Sequence, residues 1–255
     1  MSNSSVRPGG ALSARPLYFF WIVDYSGSMR GTKMGTLNNA ISEVIPEMRK
    51  AAEENYNAQL FVRTMKFSDE AFWVDHTPIK IEDFSWKDIE ADGLMTNMGH
   101  AFKLLAQELE TLSMPERALP PVIVILSDGK PTGDYNSLNT LLNLPWGKKS
   151  VRIAIAIGDD ADTKFLEKFT GNSELVIRAD NAPKLVNAIR WASTVASTVA
   201  KNPGSEMALV PFDNRKNEFS VVNKPANKTG LPPLTLLDES DDESKNFDVK
   251  ADDVF

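Results

Sequence analysis

The sequence predicts a doubly wound α/β fold, a mostly parallel sheet flanked by helices, with an acidic C-terminal tail. Three observations point there. Residues 17–23 and 122–126 are short, unbroken apolar runs rich in branched or aromatic side chains, and 151–157 is a third apolar run interrupted only by Arg152, the pattern of parallel strands buried on both faces. Stretches with helical apolar spacing separate the runs, which is the rhythm of βαβ units with right-handed crossovers. Two of the runs end in loops that carry an Asp, and in open parallel sheets ligands bind beyond the carboxyl ends of the strands, where the strand order reverses.

In chain order, residues 1–15 are rich in Ser, Asn, Gly and Pro and read as a flexible arm. The first strand, 17–23, runs into the loop Asp24-Tyr25-Ser26-Gly27-Ser28. Residues 34–52 place Met34, Leu37, Ile41, Val44, Ile45 and Met48 at helical spacing, with Pro46 expected to kink or break the helix. Residues 58–65 and 71–74 read as a hairpin through Phe67-Ser68-Asp69-Glu70 at one sheet edge. Residues 79–89 show no clear period. The loop 92–99 leads into a helix whose apolar face includes Phe102, Leu105, Leu109 and Leu112. After Pro120-Pro121 comes the strand 122–126, ending in Ser127-Asp128-Gly129. A weaker helix is expected over 137–144, then the strand 151–157, a short helix 163–169, a last strand 174–177 and a closing helix 182–200. The domain thus spans residues 16–200. Beyond it Pro203, Pro211, Pro225, Pro232 and Pro233 interrupt the chain, and residues 238–255 hold eight Asp or Glu against two Lys, the composition of a tail.

Composition narrows the function. A net charge of −7 and a pI of about 5.0 disfavour nucleic acid and anionic membranes as partners. With no cysteine in 255 residues, disulfides, thiolate nucleophiles and Cys-type zinc sites are excluded, and a reducing compartment fits. Neither a secretion signal nor a run long enough to span a bilayer is visible, so a cytoplasmic protein is expected. No phosphate-binding glycine loop occurs. His76 and His100, the two histidines, sit outside any catalytic motif and read as structural.

The chemistry concentrates at the strand ends. Asp24, Ser26, Ser28 and Asp128, with Thr96 from the third loop, form an all-oxygen set that suits a hard cation such as Mg2+, with Mn2+ or Ca2+ as alternatives. With so few acids the ion keeps net positive charge and an open position, which an Asp or Glu from a partner protein completes. The bland alternatives are a turn and helix cap at Asp24-Tyr25-Ser26-Gly27-Ser28, and an N-cap at Thr96. A rival from another class is a hydrolase or phosphatase using the same cation to activate water, with Asp69, Asp134 or His100 as its base.

Asp24-Tyr25-Ser26-Gly27-Ser28-Met29, then Thr96, then Leu126-Ser127-Asp128-Gly129, resembles the von Willebrand factor A domain over roughly residues 16–200. The resemblance implies a Rossmann-like sheet and a metal-ion-dependent adhesion site (MIDAS), with Asp24, Ser26, Ser28, Thr96 and Asp128 as ligands and no catalysis by this chain. The family often shows Gly-Gly or Gly-Asp before the threonine, where this chain has Leu94-Met95. The continuation Pro131-Thr132-Gly133-Asp134 is similar to TerY-like bacterial proteins, which implies a tellurite or stress-response setting beside a Ser/Thr kinase and a PP2C-type phosphatase. Asp134 is either a turn residue or a group at the rim of the site that acts through water. The tail is a solubilising extension, or carries phosphosites at Ser240 and Ser244, or offers a carboxylate to the metal.

Overall fold

The computed structural model describes residues 14–55, 57–110, 114–128, 136–158 and 161–201. The expected Gly129–Asp134 continuation, the helix-face position Leu112 and the tail with Ser240 and Ser244 lie outside the described residues.

Strand β1 (Arg15–Asp24) shows why a continuous apolar run becomes a central strand. Side chains alternate across a strand, so Leu17, Phe19, Trp21 and Val23 face one layer while Phe20 and Ile22 face the other. β5 (Val122–Ser127) and β6 (Val151–Ile157) divide in the same way. Helices α1 (Thr32–Glu53) and α6 (Ala182–Lys201) cover the first face. The second is covered by α2 (Met98–Glu108), α3 (Asn136–Asn143), α4 (Pro145–Lys149) and α5 (Thr163–Thr170). The result is a three-layer sandwich.

The sheet order is β3-β2-β1-β5-β6-β7, with β2 (Ala58–Phe67), β3 (Ala71–Trp73) and β7 (Val176–Ala179), and β4 (Ile79–Lys80) pairs with β2. β1 pairs in parallel with both β2 and β5, while β3 and β4 run antiparallel at the edge. From β1 the chain leaves over one face through α1; from β5 it proceeds to α3 on the other. The crevice between those two strand ends is the point where the winding reverses, and Asp24 and Asp128 stand on its two sides.

Several boundaries differ from expectation. β1 begins at Arg15, which was expected in the arm; its guanidinium donates to the carbonyls of Arg117 and Ala118 at 2.9 and 3.2 Å. α1 runs through Pro46 without a break. Pro46 and Ser42 are both exposed, so the carbonyl that loses its helical partner faces water. The last strand starts at Val176, not 174, because the Asn172 side chain accepts the Glu174 N–H at 2.9 Å and holds Ser173–Leu175 in a 3-10 turn.

Candidate metal centre

The site is built from three loops. Asp24 is the last residue of β1 and fully buried. Its Oδ1 accepts the Ser26 backbone N–H at 2.9 Å and its Oδ2 accepts the Ser127 hydroxyl at 2.6 Å. Burial raises the Asp24 pKa above the usual carboxylate range; the hydrogen bonds from Ser127 and Ser26 oppose that shift, and the neighbouring Asp128 adds to it. A buried carboxylate in this position gains from a nearby cation.

The hydroxyls of Ser26 and Ser28 lie 3.1 Å apart, and Ser28 donates to Asp128 Oδ1 at 2.7 Å. The other oxygen, Asp128 Oδ2, pairs directly with the ammonium of Lys33 at the start of α1. The turn reading accounts for part of this geometry, since Asp24 does fold back on the Ser26 N–H. It does not account for the hydroxyls. Ser26 precedes a 3-10 turn, Gly27–Met29, without a side-chain cap bond, so its oxygen faces Ser28 instead.

Thr96 is buried in the third loop. The N-cap alternative fails there: α2 begins at Met98, Asn97 holds the cap position, and no side chain caps the helix. The loop docks against the first loop through Gly93 N–H to the Tyr25 carbonyl at 3.1 Å, and against the β2–β3 turn through Asn97 N–H to the Ser68 carbonyl at 2.8 Å. A Cβ on Gly93 would stand 2.1 Å from Ser68 Oγ and 3.0 Å from the Tyr25 ring, so only glycine allows this approach. Among the described residues no hydrogen bond ties the Thr96 hydroxyl to Asp24, Ser26, Ser28 or Asp128. The structure thus joins four of the five expected ligands directly and brings the loop of the fifth alongside.

Two participants had no role in the sequence reading. Ser127 orients Asp24, and its only signal is a polar residue ending an otherwise apolar strand. Lys33 pairs with Asp128 and carries no motif at all. It also bears on the charge: two carboxylates would just balance a dication, and Lys33 would then supply any positive excess. The candidate bases are engaged elsewhere. Asp69 Oδ2 accepts the Leu94 N–H at 3.0 Å, and His100 Nδ1 lies 2.9 Å from the Asp69 carbonyl and 3.1 Å from Glu70 Oε2. Asp134 lies outside the described residues.

The donor set fits a hard divalent ion. It offers carboxylate and hydroxyl oxygens only, and one of its carboxylates already holds a cationic side chain. Among the described residues no three His, Cys, Asp or Glu side chains converge, so any ion held here would be met by two carboxylates and by hydroxyls or water.

Residues 20–191 match the von Willebrand factor type A domain, and the chain belongs to that family, whose members often mediate metal-dependent protein interactions. Among solved structures it is similar to the ArnB paralog VWA2 from Sulfolobus acidocaldarius, with 19% identity over 70% of this chain and 45% of that one and a TM-score of 0.50. It is also similar to proximal thread matrix protein 1 from the mussel byssus, solved with a zinc-occupied MIDAS motif (14% identity, 72% and 48%, TM-score 0.57). A third is a von Willebrand factor type A protein from Catenulispora acidiphila (14% identity, 72% and 43%, TM-score 0.52). At these identities the likeness speaks for the fold alone, and the chain spans less than half the length of each. No curated protein sequence matches it. No described helix is long and apolar enough to cross a membrane.

Proposed function

We propose that this chain is a metal-ion-dependent protein-interaction module. Asp24, Ser26, Ser28, Thr96 and Asp128 hold Mg2+, directly or through water, and an Asp or Glu from a partner protein supplies the last ligand. The observation that carries this reading is the continuous hydrogen-bonded path from Asp128 through Ser28 and Ser26 to Asp24, which joins loops a hundred residues apart into one oxygen-lined site. The zinc-occupied site of the mussel protein supports a divalent ion in a domain of this fold. Bound there, the cation supplies the electrostatic attraction for an incoming carboxylate; Lys33 leaves the site electropositive, and Ser127 keeps Asp24 oriented. The chain itself performs no catalysis in this reading.

We place the module in the cytoplasm, in a tellurite or stress-response system with a Ser/Thr kinase and a PP2C-type phosphatase. The resemblance of Pro131-Thr132-Gly133-Asp134 to TerY-like proteins supports this placement. Co-purification of such a kinase with the tagged chain, lost in EDTA, is the expected outcome; recovery independent of metal contradicts it.

The test of the site uses an immobilised chain and a short aspartate-containing peptide. Capture is expected in Mg2+, lost in EDTA, and lost in Asp24→Ala with the circular dichroism spectrum unchanged. Wild-type capture by the Asp24→Ala chain in metal-free buffer would sink the reading.

A further inference from the structure

Three large apolar side chains stand exposed among the described residues, and two of them, Leu94 at 80% and Met95 at 55%, are adjacent in the loop that carries Thr96. Single exposed apolar residues are ordinary. This pair differs because its backbone is fastened at successive points. Gly93 N–H bonds to the Tyr25 carbonyl, Leu94 N–H to Asp69 Oδ2, the Met95 carbonyl accepts the Ser68 hydroxyl, and Asn97 N–H bonds to the Ser68 carbonyl. Gly93 and Thr96 point inward while the two side chains between them point out. An apolar pair held outward on a fixed loop loses little conformational entropy when it is covered.

Charge around the pair narrows what covers it. Arg30 is exposed and donates to the Ala91 carbonyl at 2.9 Å. On the other flank stand Asp69 and Glu70 of the β2–β3 turn and Asp92 of the loop itself. Asp69 is occupied by Leu94 N–H and Glu70 pairs with His100. One carboxylate is therefore welcome at the cation, and further carboxylates meet like charge beyond it.

We propose that Leu94 and Met95 form the specificity surface of the site, selecting a partner segment whose single Asp or Glu is flanked by a large apolar side chain, in preference to an acidic run. The inference rests on the metal reading above. An aromatic flank suits it best, since the Met95 thioether packs well against a ring.

The experiment titrates the full chain in Mg2+ with three acetylated peptides, Gly-Phe-Asp-Phe-Gly, Gly-Ser-Asp-Ser-Gly and Gly-Asp-Asp-Asp-Gly, followed by methionine-methyl NMR. The phenylalanine peptide is expected to bind about tenfold tighter than the serine peptide, a difference of about 1.4 kcal/mol, and to shift the Met95 methyl signal. The double variant Leu94→Ser with Met95→Ser should remove that preference while its Mg2+ affinity by calorimetry stays at the wild-type value. Equal binding of the first two peptides, a preference that survives the double variant, or tightest binding of the triple-aspartate peptide overturns the inference; Mg2+-dependent binding of the serine peptide then leaves the metal reading standing. If no peptide binds in Mg2+, both fall together.

Discussion

Asp24 and Asp128 have the same chemistry and different surroundings. Asp24 is enclosed by hydrogen-bond donors, the Ser26 N–H and the Ser127 hydroxyl, whereas Asp128 meets Ser28 on one oxygen and an ammonium on the other. Lys33 is about two-fifths exposed, and its partner carboxylate is buried, so the lysine can swing into water while the aspartate stays. Its positive charge opposes a dication at the same oxygens. Lys33→Met is therefore expected to tighten Mg2+ binding severalfold, read by calorimetry at low salt, where the effect is least screened. Unchanged or weaker binding in that variant would remove Lys33 from the electrostatics of the site.

The loop 92–97 acts as one element with the β2–β3 turn. Its close approach depends on Gly93, beside Ser68 and Tyr25. Gly93→Ala is expected to lower stability by about 1–3 kcal/mol, the usual cost of overpacking, and to weaken Mg2+ binding by displacing Thr96; urea unfolding and calorimetry report the two effects. Full retention of both would mean that the loop does not depend on this contact. In α1, Pro46 leaves the Ser42 carbonyl without a helical donor on an exposed face. Pro46→Ala restores that bond and is expected to stabilise the domain by about 1–3 kcal/mol, up to the helix-interior penalty of proline. A urea midpoint that does not rise would contradict it.

Across the whole molecule, the sheet order brings the ends of β1 and β5 together at the reversal of winding, and the grouping of Asp24, Ser26, Ser28 and Asp128 follows from that topology. Much of this was legible in the sequence, because runs such as Phe19 to Val23 can be apolar at every position only if both faces are covered. The βα rhythm was readable from the helical spacing between such runs, the edge hairpin from its turn residues Ser68 and Asp69, and the grouping of Asp24, Ser26 and Ser28 with Asp128 from the loops that follow two of the runs. What stayed hidden lacks a periodic signature. β4 has two residues and α4 has five; the start of β7 is set by an Asn172 side-chain bond; and Lys33 meets Asp128 only because α1 begins beside the crevice. The outward Leu94 and Met95 were visible as residues, yet their exposure comes from the docking of the loop. The central claim is that these strand ends hold a divalent cation. Its most direct test is calorimetric titration of Mg2+ into the full chain and into Asp128→Asn. The account predicts one site per chain, with affinity at least about tenfold weaker in the variant, a loss of about 1.4 kcal/mol; no binding by the wild-type chain, or equal binding by both, would contradict it.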